Sequence, residues 1–429
     1  MSENSPRKLY KVRNQRVKDT IEIKEPDRVP ITPMSTFWAT EQGGMTKNEA
    51  MYNIEKAVDV AVKVYGAYDW DQAPPIMNLY PGKYFDILGA QFFKWPGAAD
   101  EKQRVKDVIP YQFVEAEYMK ASEYEEFFAD PTGFTLRTLI MRQWKEFKGF
   151  SNFPFLSNLA NGYGALVGFP FFFAMPETKE MFKKINEAVE EFFAWFTQLL
   201  NYESKMKKLG MPLQFMGMSQ APYDIVSDFL RGMRGTMLDM YRNPEELLKI
   251  LDILTQPMIN SALQIAQMVP QYKVIFMPLH RGAEGFMNDK QFQKFYWPTL
   301  CKVWEGLIDK GLIPMPFFEG KYTARFEHLA EFAKKHKGKM IFWFDDSDMF
   351  KAKEMFGEYA CIRGNVPGSL LVTGTPKEVE EHTKKLLEGC MEGGGYLMDG
   401  GISGIPDEAK ADNVKAMTDT VHKYGVYRK

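Results

Sequence analysis

The sequence predicts an α/β protein built as a (β/α)8 TIM barrel with N-terminal elaborations, and three observations lead to this fold class. From about residue 210 onward, short apolar runs alternate regularly with amphipathic helical patterns. Six such strand-then-helix units follow one another, which implies a parallel sheet covered by helices. The chain has 429 residues, 45% of them hydrophobic and 26% charged, so it can bury a large core.

The predicted strands of the C-terminal half are apolar runs that each precede a segment with helical spacing of apolar residues. They are LQFMG (213–217), KVIFMPLH (273–280), IPMPFF (313–318), KMIFWF (339–344), YACIRG (359–364) and GGYLM (394–398). A strand buried on both faces reads as such a continuous apolar run, and helices on the outside of a barrel supply the second layer. Two further units in the N-terminal half would complete eight.

The N-terminal half is less regular than the rest of the chain. Residues 1–27 are expected to form a helical extension, and RVPITP (28–33) is expected to be the first strand of a single barrel that occupies 28–429. The segment at about 85–175 is rich in Pro, Gly and aromatic residues and is too long for a plain connection. We expect it to be an insertion over the C-terminal ends of the strands; a separate N-terminal domain is the alternative.

The bulk composition excludes several classes of partner. A formal net charge of −2 and the lack of a basic stripe argue against nucleic acid. No window approaches the roughly 20 apolar residues of a membrane span. The three cysteines form no CxxC pair, which fits a reducing compartment. A cytoplasmic enzyme acting on a small molecule is expected, and a homodimer is left open.

Polar residues follow five consecutive predicted strands, where a barrel of this type carries its catalytic groups. These strand ends read His280-Arg281, Glu319-Gly320, Asp345-Asp346, Arg363-Gly364-Asn365 and Asp399-Gly400-Gly401. Because strands of a barrel end at the same rim, we expect these side chains to converge on one cavity.

Roles for these residues follow from their chemistry. The expected catalytic residues are Glu319, His280, Asp345 and Asp346, and the expected substrate-binding residues are Arg281, Tyr322, Arg363, Asn365 and Asp399. Glu319 ends an apolar strand, so we expect it to be buried with a raised pKa. A metal ion such as zinc held by His280, Glu319 and Asp345 is left open.

Each of these residues also has a purely structural explanation. Asp346 or Asp348 can simply cap the helix that follows. His280 can be a structural histidine with satisfied hydrogen bonds. Arg281 and Arg363 can pair with neighbouring acids instead of binding an anionic substrate.

Four stretches of the chain resemble the uroporphyrinogen decarboxylase superfamily. They are EPDRVPITP (25–33), GFMNDKQFQKFYWPTL (285–300), DMFKAKEMFGEYACIRGNVPGSLLVTGTPKEVEEH (348–382) and GGGYLMDGGISGIPDEAKADNVKAMTDTVHKYG (393–425). The resemblance covers most of the chain in order and is weakest between about 85 and 175. It implies a single (β/α)8 barrel, and the superfamily contains porphyrinogen decarboxylases and cobalamin-dependent methyltransferases.

Departures from the superfamily patterns narrow these alternatives. The decarboxylases carry an Arg-rich loop after the first strand, whereas PMSTFWATEQGGMT (33–46) contains no arginine. The thiol-methylating branch binds zinc through an HxC pair and a later Cys, but the corresponding positions read FFEG (317–320) and DGGIS (399–403). The remaining resemblance is to a subgroup of this superfamily that is found in anaerobes and acts beside corrinoid proteins.

The resemblance implies a corrinoid-dependent methyltransferase that moves a methyl group between a small apolar, methoxylated aromatic compound and a separate corrinoid protein. Glu319 would protonate the departing oxygen in such an O-demethylation, His280 would share the proton, and Asp345 and Asp346 would orient them or bind a metal. A decarboxylase of a small or tetrapyrrole carboxylic acid, with Arg281 and Arg363 as its clamp, is the alternative. A non-catalytic corrinoid-binding or scaffold protein is a third class.

Overall fold

The computed structural model describes residues 5–401 and 404–427. The strands are β1 (Phe93–Pro96), β2 (Arg104–Val105), β3 (Gln112–Phe113), β4 (Gly217–Met218), β5 (Val274–Leu279), β6 (Ile313–Phe318), β7 (Ile341–Phe344), β8 (Cys361–Arg363) and β9 (Tyr396–Leu397). No helix within these two ranges is long and apolar enough to cross a membrane.

The helices surround the strands and fill the N-terminal half. The α-helices are α1 (Pro6–Ile21), α2 (Trp38–Gln42), α3 (Lys47–Tyr52), α4 (Ile54–Gly66), α5 (Gly82–Leu88), α6 (Tyr124–Ala129), α7 (Pro131–Phe134), α8 (Ile140–Gln143), α9 (Leu156–Leu159), α10 (Gly162–Ala174), α11 (Pro176–Lys208), α12 (Pro222–Ile225), α13 (Gly232–Arg242), α14 (Pro244–Met268), α15 (Asp289–Gln291), α16 (Trp297–Ile308), α17 (Phe326–Lys335), α18 (Met349–Phe356), α19 (Gly368–Thr373), α20 (Pro376–Cys390) and α21 (Ala411–Tyr424). Single π-helical turns lie at Thr135–Leu139, Val226–Leu230 and Phe292–Tyr296, and 3-10 turns at Ala121–Glu123, Lys145–Asn152 and Thr323–Arg325.

Strands β4 to β9 form one parallel sheet in sequential order. Two positions with isolated bridges close it into a ring: Ile31 pairs with Met398 and Ala73 pairs with Leu213, both in parallel. The amide of Asp71 donates to the carbonyl of Ile31 at 2.9 Å, which joins these two positions to each other. The ring therefore has eight positions, and the predicted (β/α)8 barrel is confirmed.

The first two positions of the ring are bridges because prolines interrupt their pairing. Pro30 and Pro33 flank Ile31, and Pro74 and Pro75 follow Ala73, and proline has no amide to donate to a ladder. RVPITP thus supplies the first position without forming a full strand. In the C-terminal half β6 has the predicted bounds, 313–318, whereas β9 is shorter than predicted because Gly394 and Gly395 have φ of 76° and 72°.

Side chains alternate between the barrel interior and the helical layer, as the period of a strand requires. The interior group contains Phe215, Phe276, Met315, Phe317, Ile341, Trp343, Cys361 and Leu397. Val17 and Ile21 of α1 belong to the same group, so α1 packs against the interior side chains. The outward residues, such as Phe318 and Phe342, pack against the aromatic residues of the helices, for example Trp304.

The fully buried carboxylate of Asp71 ties α1 to the first two positions of the ring. It accepts hydrogen bonds from the guanidinium groups of Arg16 and Arg28 and, at 2.7 Å, from the backbone amide of Ile31. Arg16 also forms a pair with Asp27 at 2.5 Å. This network replaces the strand ladder that the prolines prevent.

The segment at about 85–175 packs over loops that follow the first and third positions of the ring. Strands β2, β1 and β3 form a small separate sheet within it. The amide of Met119 donates to Leu230 at 2.6 Å, and the Gln143 side chain donates to Phe229 at 2.8 Å. Tyr111 packs edge-on against Phe37, with ring centroids 5.8 Å apart.

Replacing the buried carboxylate tests its part in closing the barrel. Asp71→Asn removes the charge that faces two guanidinium groups, and we expect it to lower the free energy of unfolding by about 3–5 kcal/mol, as when one partner of a buried ion pair is lost. The measurement is urea denaturation followed by circular dichroism. The control is Asp69→Asn, whose exposed carboxylate pairs with Arg13 and should cost under about 1 kcal/mol. Equal losses for both variants would contradict the role of Asp71.

Candidate active site

The alternation of side chains along each strand selects the residues that face the barrel interior. Residues two or four positions beyond an interior residue point to the same side. From Phe276, Phe317, Trp343, Arg363 and Leu397 this rule leads to His280, Glu319, Asp345, Asn365 and Asp399. These five of the predicted strand-end residues therefore share the interior side of the barrel.

His280 lies between two carboxylates at this mouth. Its Nδ1 donates to Asp228 Oδ2 at 2.9 Å, and its Nε2 lies 3.4 Å from Glu319 Oε2. Burial opposes the charged ring, but the hydrogen bond to Asp228 and the charges of Asp224, Glu319 and Asp228 outweigh it and raise the pKa of His280 to about 9. At neutral pH His280 is therefore an imidazolium that holds a proton on Nε2, facing Glu319.

Asp228 and Asp224 come from the helical segment after β4. Asp228 lies in the π-helical turn Val226–Leu230, a rare conformation that is frequent at functional sites. Asp224 is fully buried in α12 and accepts hydrogen bonds from the backbone amides of His280 at 3.1 Å and Arg281 at 3.0 Å. Burial raises the pKa of Asp224 to about 6, although the charge of His280 acts in the opposite direction. Asp224 thus fixes the backbone turn that carries His280.

Neither Asp224 nor Asp228 was among the residues expected from the sequence. The signal that points to them is local: in APYDIVSDFL (221–230) two acids stand four residues apart in a mostly apolar run. That spacing places both carboxylates on one face of a helix. Carboxylates on a mostly buried helix face need a partner, and the partner is the turn at His280.

Arg281 is held by the same helical segment. Its Nε donates to Ser227 Oγ at 3.0 Å and its Nη2 donates to Asp228 Oδ1 at 3.1 Å. Its guanidinium also lies over the ring of Phe286, 5.0 Å from the centroid. The charge of Arg281 is therefore matched by a neighbouring acid, as the structural explanation for this residue proposed.

The expected burial of Glu319 is wrong. Its side chain is 55% exposed, because β6 ends at Phe318 and the carboxylate extends beyond the apolar rim. The Glu319 amide still donates to Leu279 at 3.2 Å, and Gly320 then turns the chain away with a φ of 81°. The apolar strand before Glu319 is buried, whereas the Glu319 carboxylate that follows it is exposed.

The aspartates after β7 differ in their positions. Asp345 Oδ2 accepts a hydrogen bond from the amide of Gly320 at 3.0 Å, and the Asn365 side chain donates to the Asp345 carbonyl at 2.9 Å. Asp346 is exposed, and Asp348 caps α18 by accepting from two of its amides. Asp345, Asp346 and Asn365 line a cavity of about 600 Å³ that reaches Gly320. The mouth thus has two adjoining parts: the His280–Glu319 pair and this polar cavity.

Arg363 and Asp399 lie deeper in the barrel than the mouth. The Arg363 Nε donates to Asp399 Oδ2 at 2.9 Å, its Nη2 donates to Gln214 at 2.8 Å, and its guanidinium stacks 4.0 Å from the Trp343 ring centroid. Burial raises the pKa of Asp399 to about 6, while the Arg363 charge lowers it. Tyr322 is also buried, and its hydroxyl donates to the Leu279 carbonyl at 3.2 Å.

The residues do not fit the zinc site that the sequence left open. In the part of the chain that the structure describes, no three His, Cys, Asp or Glu side chains are grouped so that they could hold a metal ion. His280 uses Nδ1 for Asp228, and Asp345 is bonded to the Gly320 amide. The geometry therefore does not support a metal ion held by His280, Glu319 and Asp345.

Comparison with known proteins agrees with the fold. A family model described as uroporphyrinogen decarboxylase (URO-D) matches residues 164–424, more than half of the chain. Among solved structures, a methyltransferase from Methanosarcina mazei superposes with a TM-score of 0.59 over 98% of this chain and 99% of that one, at 14% identity. A search of curated proteins finds no match.

The protonation state of His280 can be measured directly. With the imidazole rings labelled, NMR titration should show one histidine with a pKa near 9, and His280→Gln should remove its signals. Asp228→Asn removes the hydrogen-bonded carboxylate, so we expect the pKa of His280 to fall toward its usual value of about 6.5. Because the folded pKa is raised, stability from this charge is complete below about pH 6.5 and is lost as pH rises through about 9. An unchanged titration in Asp228→Asn would contradict this assignment.

Proposed function

The chain belongs to the uroporphyrinogen decarboxylase family, and within this family we propose that it is a methyltransferase. In this proposal it moves a methyl group between a small apolar, methoxylated compound and a corrinoid carried by a separate protein. The observation that carries the proposal is the position of His280 at the open mouth of the barrel, with Nδ1 bonded to Asp228 and Nε2 facing Glu319. The similarity to the methyltransferase structure from Methanosarcina mazei supports the fold on which the proposal rests.

Breaking a methyl–oxygen bond needs an acid at the oxygen. Loss of the methyl group leaves an alkoxide or phenolate, which departs more easily when a proton is delivered to it. His280 holds such a proton on Nε2, and its side chain is 30% exposed toward the mouth. Glu319 faces the same nitrogen. In this proposal the oxygen of the methyl donor would lie beside Nε2, either next to the Glu319 carboxylate or in its place.

The other residues hold this proton donor in place. Asp228 fixes the ring through Nδ1, which leaves Nε2 as the nitrogen that faces substrate. Asp224 holds the backbone amides of His280 and Arg281, and Tyr296 donates to Asp224 at 2.8 Å. A corrinoid, when a partner protein presents it, would supply the metal that accepts the methyl group. The exposed Glu319 and the partly exposed His280 fit such an approach from outside the barrel.

Decarboxylation is less well supported by the same residues. The two arginines that were expected to clamp a carboxylate substrate are both engaged: Arg281 is bonded to Asp228, and Arg363 is buried against Asp399. The stretch 33–46 also lacks arginine. The geometry therefore favours protonation of a leaving group over binding of a carboxylated substrate.

Substituting His280 tests the proposal. The assay mixes the protein with methoxylated aromatic compounds and a reduced corrinoid protein, and follows methylcobalamin by its absorbance. His280→Gln should lower kcat by roughly 10²- to 10⁴-fold, the usual worth of general acid catalysis, with KM little changed. Glu319→Gln should have a smaller effect, because Glu319 does not itself hold the proton in this scheme.

The matched control is His336→Gln, since His336 directly follows α17 and pairs only weakly with Glu305 at 3.8 Å. This variant should transfer methyl groups at the wild-type rate. Wild-type activity in His280→Gln would show that His280 is structural. Release of carbon dioxide from a carboxylated substrate, without methyl transfer, would favour the decarboxylase alternative.

A further inference from the structure

The π-helical turn that carries Asp228 ends at Arg231. The amide of Arg231 donates to the carbonyl of Val226 at 2.7 Å, which is the five-residue hydrogen bond that defines such a turn. Gly232 follows with a φ of 69°, and a Cβ at this position would lie 3.1 Å from the carbonyl oxygen of Ala116. The chain therefore changes direction directly after the turn, where the segment at about 85–175 packs against it.

That segment supplies hydrogen-bond donors to the end of the turn. The amide of Met119 donates to the carbonyl of Leu230 at 2.6 Å, and the side-chain amide of Gln143 donates to the carbonyl of Phe229 at 2.8 Å. Carbonyls in the last turn of a helix find no amide within the helix itself. Two carbonyls of the turn that carries Asp228 are thus satisfied by residues distant in sequence.

The guanidinium of Arg231 joins the segment to helix α13. It is buried, and its Nε donates to Asp239 Oδ2 of α13 at 2.6 Å. Its Nη1 donates to the carbonyl of Met119 at 2.6 Å and also pairs with the carboxylate of Glu117. The hydroxyl of Tyr124 donates to the same Asp239 oxygen at 2.9 Å. We call these five residues the clasp.

The position of Asp228 decides the charge of His280. Burial lowers the pKa of His280, and the hydrogen bond to Asp228 is the largest of the effects that raise it. Asp224 of α12 and Glu319 after β6 also face the ring and act in the same direction, whereas Arg281 is the neighbouring cation. The Nδ1–Asp228 distance is 2.9 Å, and such a bond weakens beyond about 3.2 Å. A small displacement of the turn would therefore remove the proton from His280.

We propose that Arg231 is a positioning residue, which through the clasp holds the turn of Asp228 within hydrogen-bond distance of His280. Arg231 acts on the imidazole through Asp228, because its guanidinium is engaged by the clasp. The segment at about 85–175 thus determines whether the barrel mouth contains an acid. The catalytic consequence, protonation of a leaving group, rests on the proposed function; the effect on the charge of His280 does not.

The direction of the effect separates positioning from electrostatics. If Arg231 acted on His280 only through its charge, its removal would favour the protonated ring and raise the pKa of His280. The unpaired carboxylate of Asp239 would act in the same direction. If Arg231 acts by position, its removal weakens the bond to Asp228, burial then dominates, and the pKa of His280 falls. The two roles therefore predict opposite shifts.

NMR titration of labelled imidazole rings tests this proposal. Arg231→Met keeps the aliphatic part of the side chain but removes the guanidinium, and we expect the pKa of His280 to fall from about 9 to about 8 or below. The control is Arg137→Met, which alters another buried arginine of the same segment. Arg137 pairs with Asp130 at 2.8 Å, within the segment, so its loss should lower stability but leave the titration of His280 unchanged.

A milder variant keeps the test decisive if Arg231→Met does not fold. Gln143→Met has nearly the same shape and removes only the donor to Phe229, so the fold should persist and the pKa of His280 should fall by a smaller amount. Arg231→Lys keeps a cation and one set of donors, and its titration should lie between those of wild type and Arg231→Met.

The pH dependence of methyl transfer supplies a second readout. The pH above which kcat declines reports the pKa of the acid in the substrate complex, and it should move down with the NMR value in Arg231→Met. A wild-type protein without methyl transfer would count against the proposed function alone, because the NMR shift is measured without substrate. Folded Arg231→Met or Gln143→Met protein in which the pKa of His280 is unchanged or raised would overturn the positioning role.

Discussion

Closure of the barrel depends on one buried carboxylate, Asp71. At the first two positions of the ring, prolines leave a single bridge each where other positions have a strand. Asp71 compensates by joining the amide of Ile31 to the side chains of Arg16 and Arg28. A buried charge is tolerated only when it is paired and hydrogen-bonded, and this one has partners from α1 and from the first position. Without this closure the ends of the strands would not surround a common mouth.

The site combines two levels of structure. Side chains along a strand alternate between its two faces, and this alternation alone places His280 and Glu319 on the interior side of the barrel. The charge of His280 is set elsewhere, by Asp224 and Asp228 in the helical segment after β4. Burial alone would lower the pKa of a histidine, and here the carboxylates reverse that direction. The barrel therefore fixes where His280 lies, and the helical segment after β4 fixes its protonation state.

The sequence predicted what depends on local pattern and missed what depends on tertiary contacts. The apolar run 313–318 is β6 with the same bounds, because a strand buried on both faces has an unmistakable local pattern. Arg363 is the last residue of β8, as the sequence predicted, but its side chain is buried inside the barrel and pairs with Asp399. The exposure of Glu319 depends on how much of its side chain the neighbouring loops cover, which is a tertiary contact that the local sequence does not encode. The π-helical turn that orients Asp228 toward His280 cannot be recognised from the spacing of apolar residues in the sequence.

The charges around His280 also bear on how it would recover a lost proton. Around neutral pH this group of side chains contains two positive charges, on His280 and Arg281. It contains three negative charges, on Asp224, Asp228 and Glu319, so its net charge is −1. If His280 gives its proton to a leaving group, three carboxylates remain against a single guanidinium. Their mutual repulsion in a partly buried site disfavours that state. His280 and Glu319 are both partly exposed, so in the proposed reaction the ring would regain its proton from water.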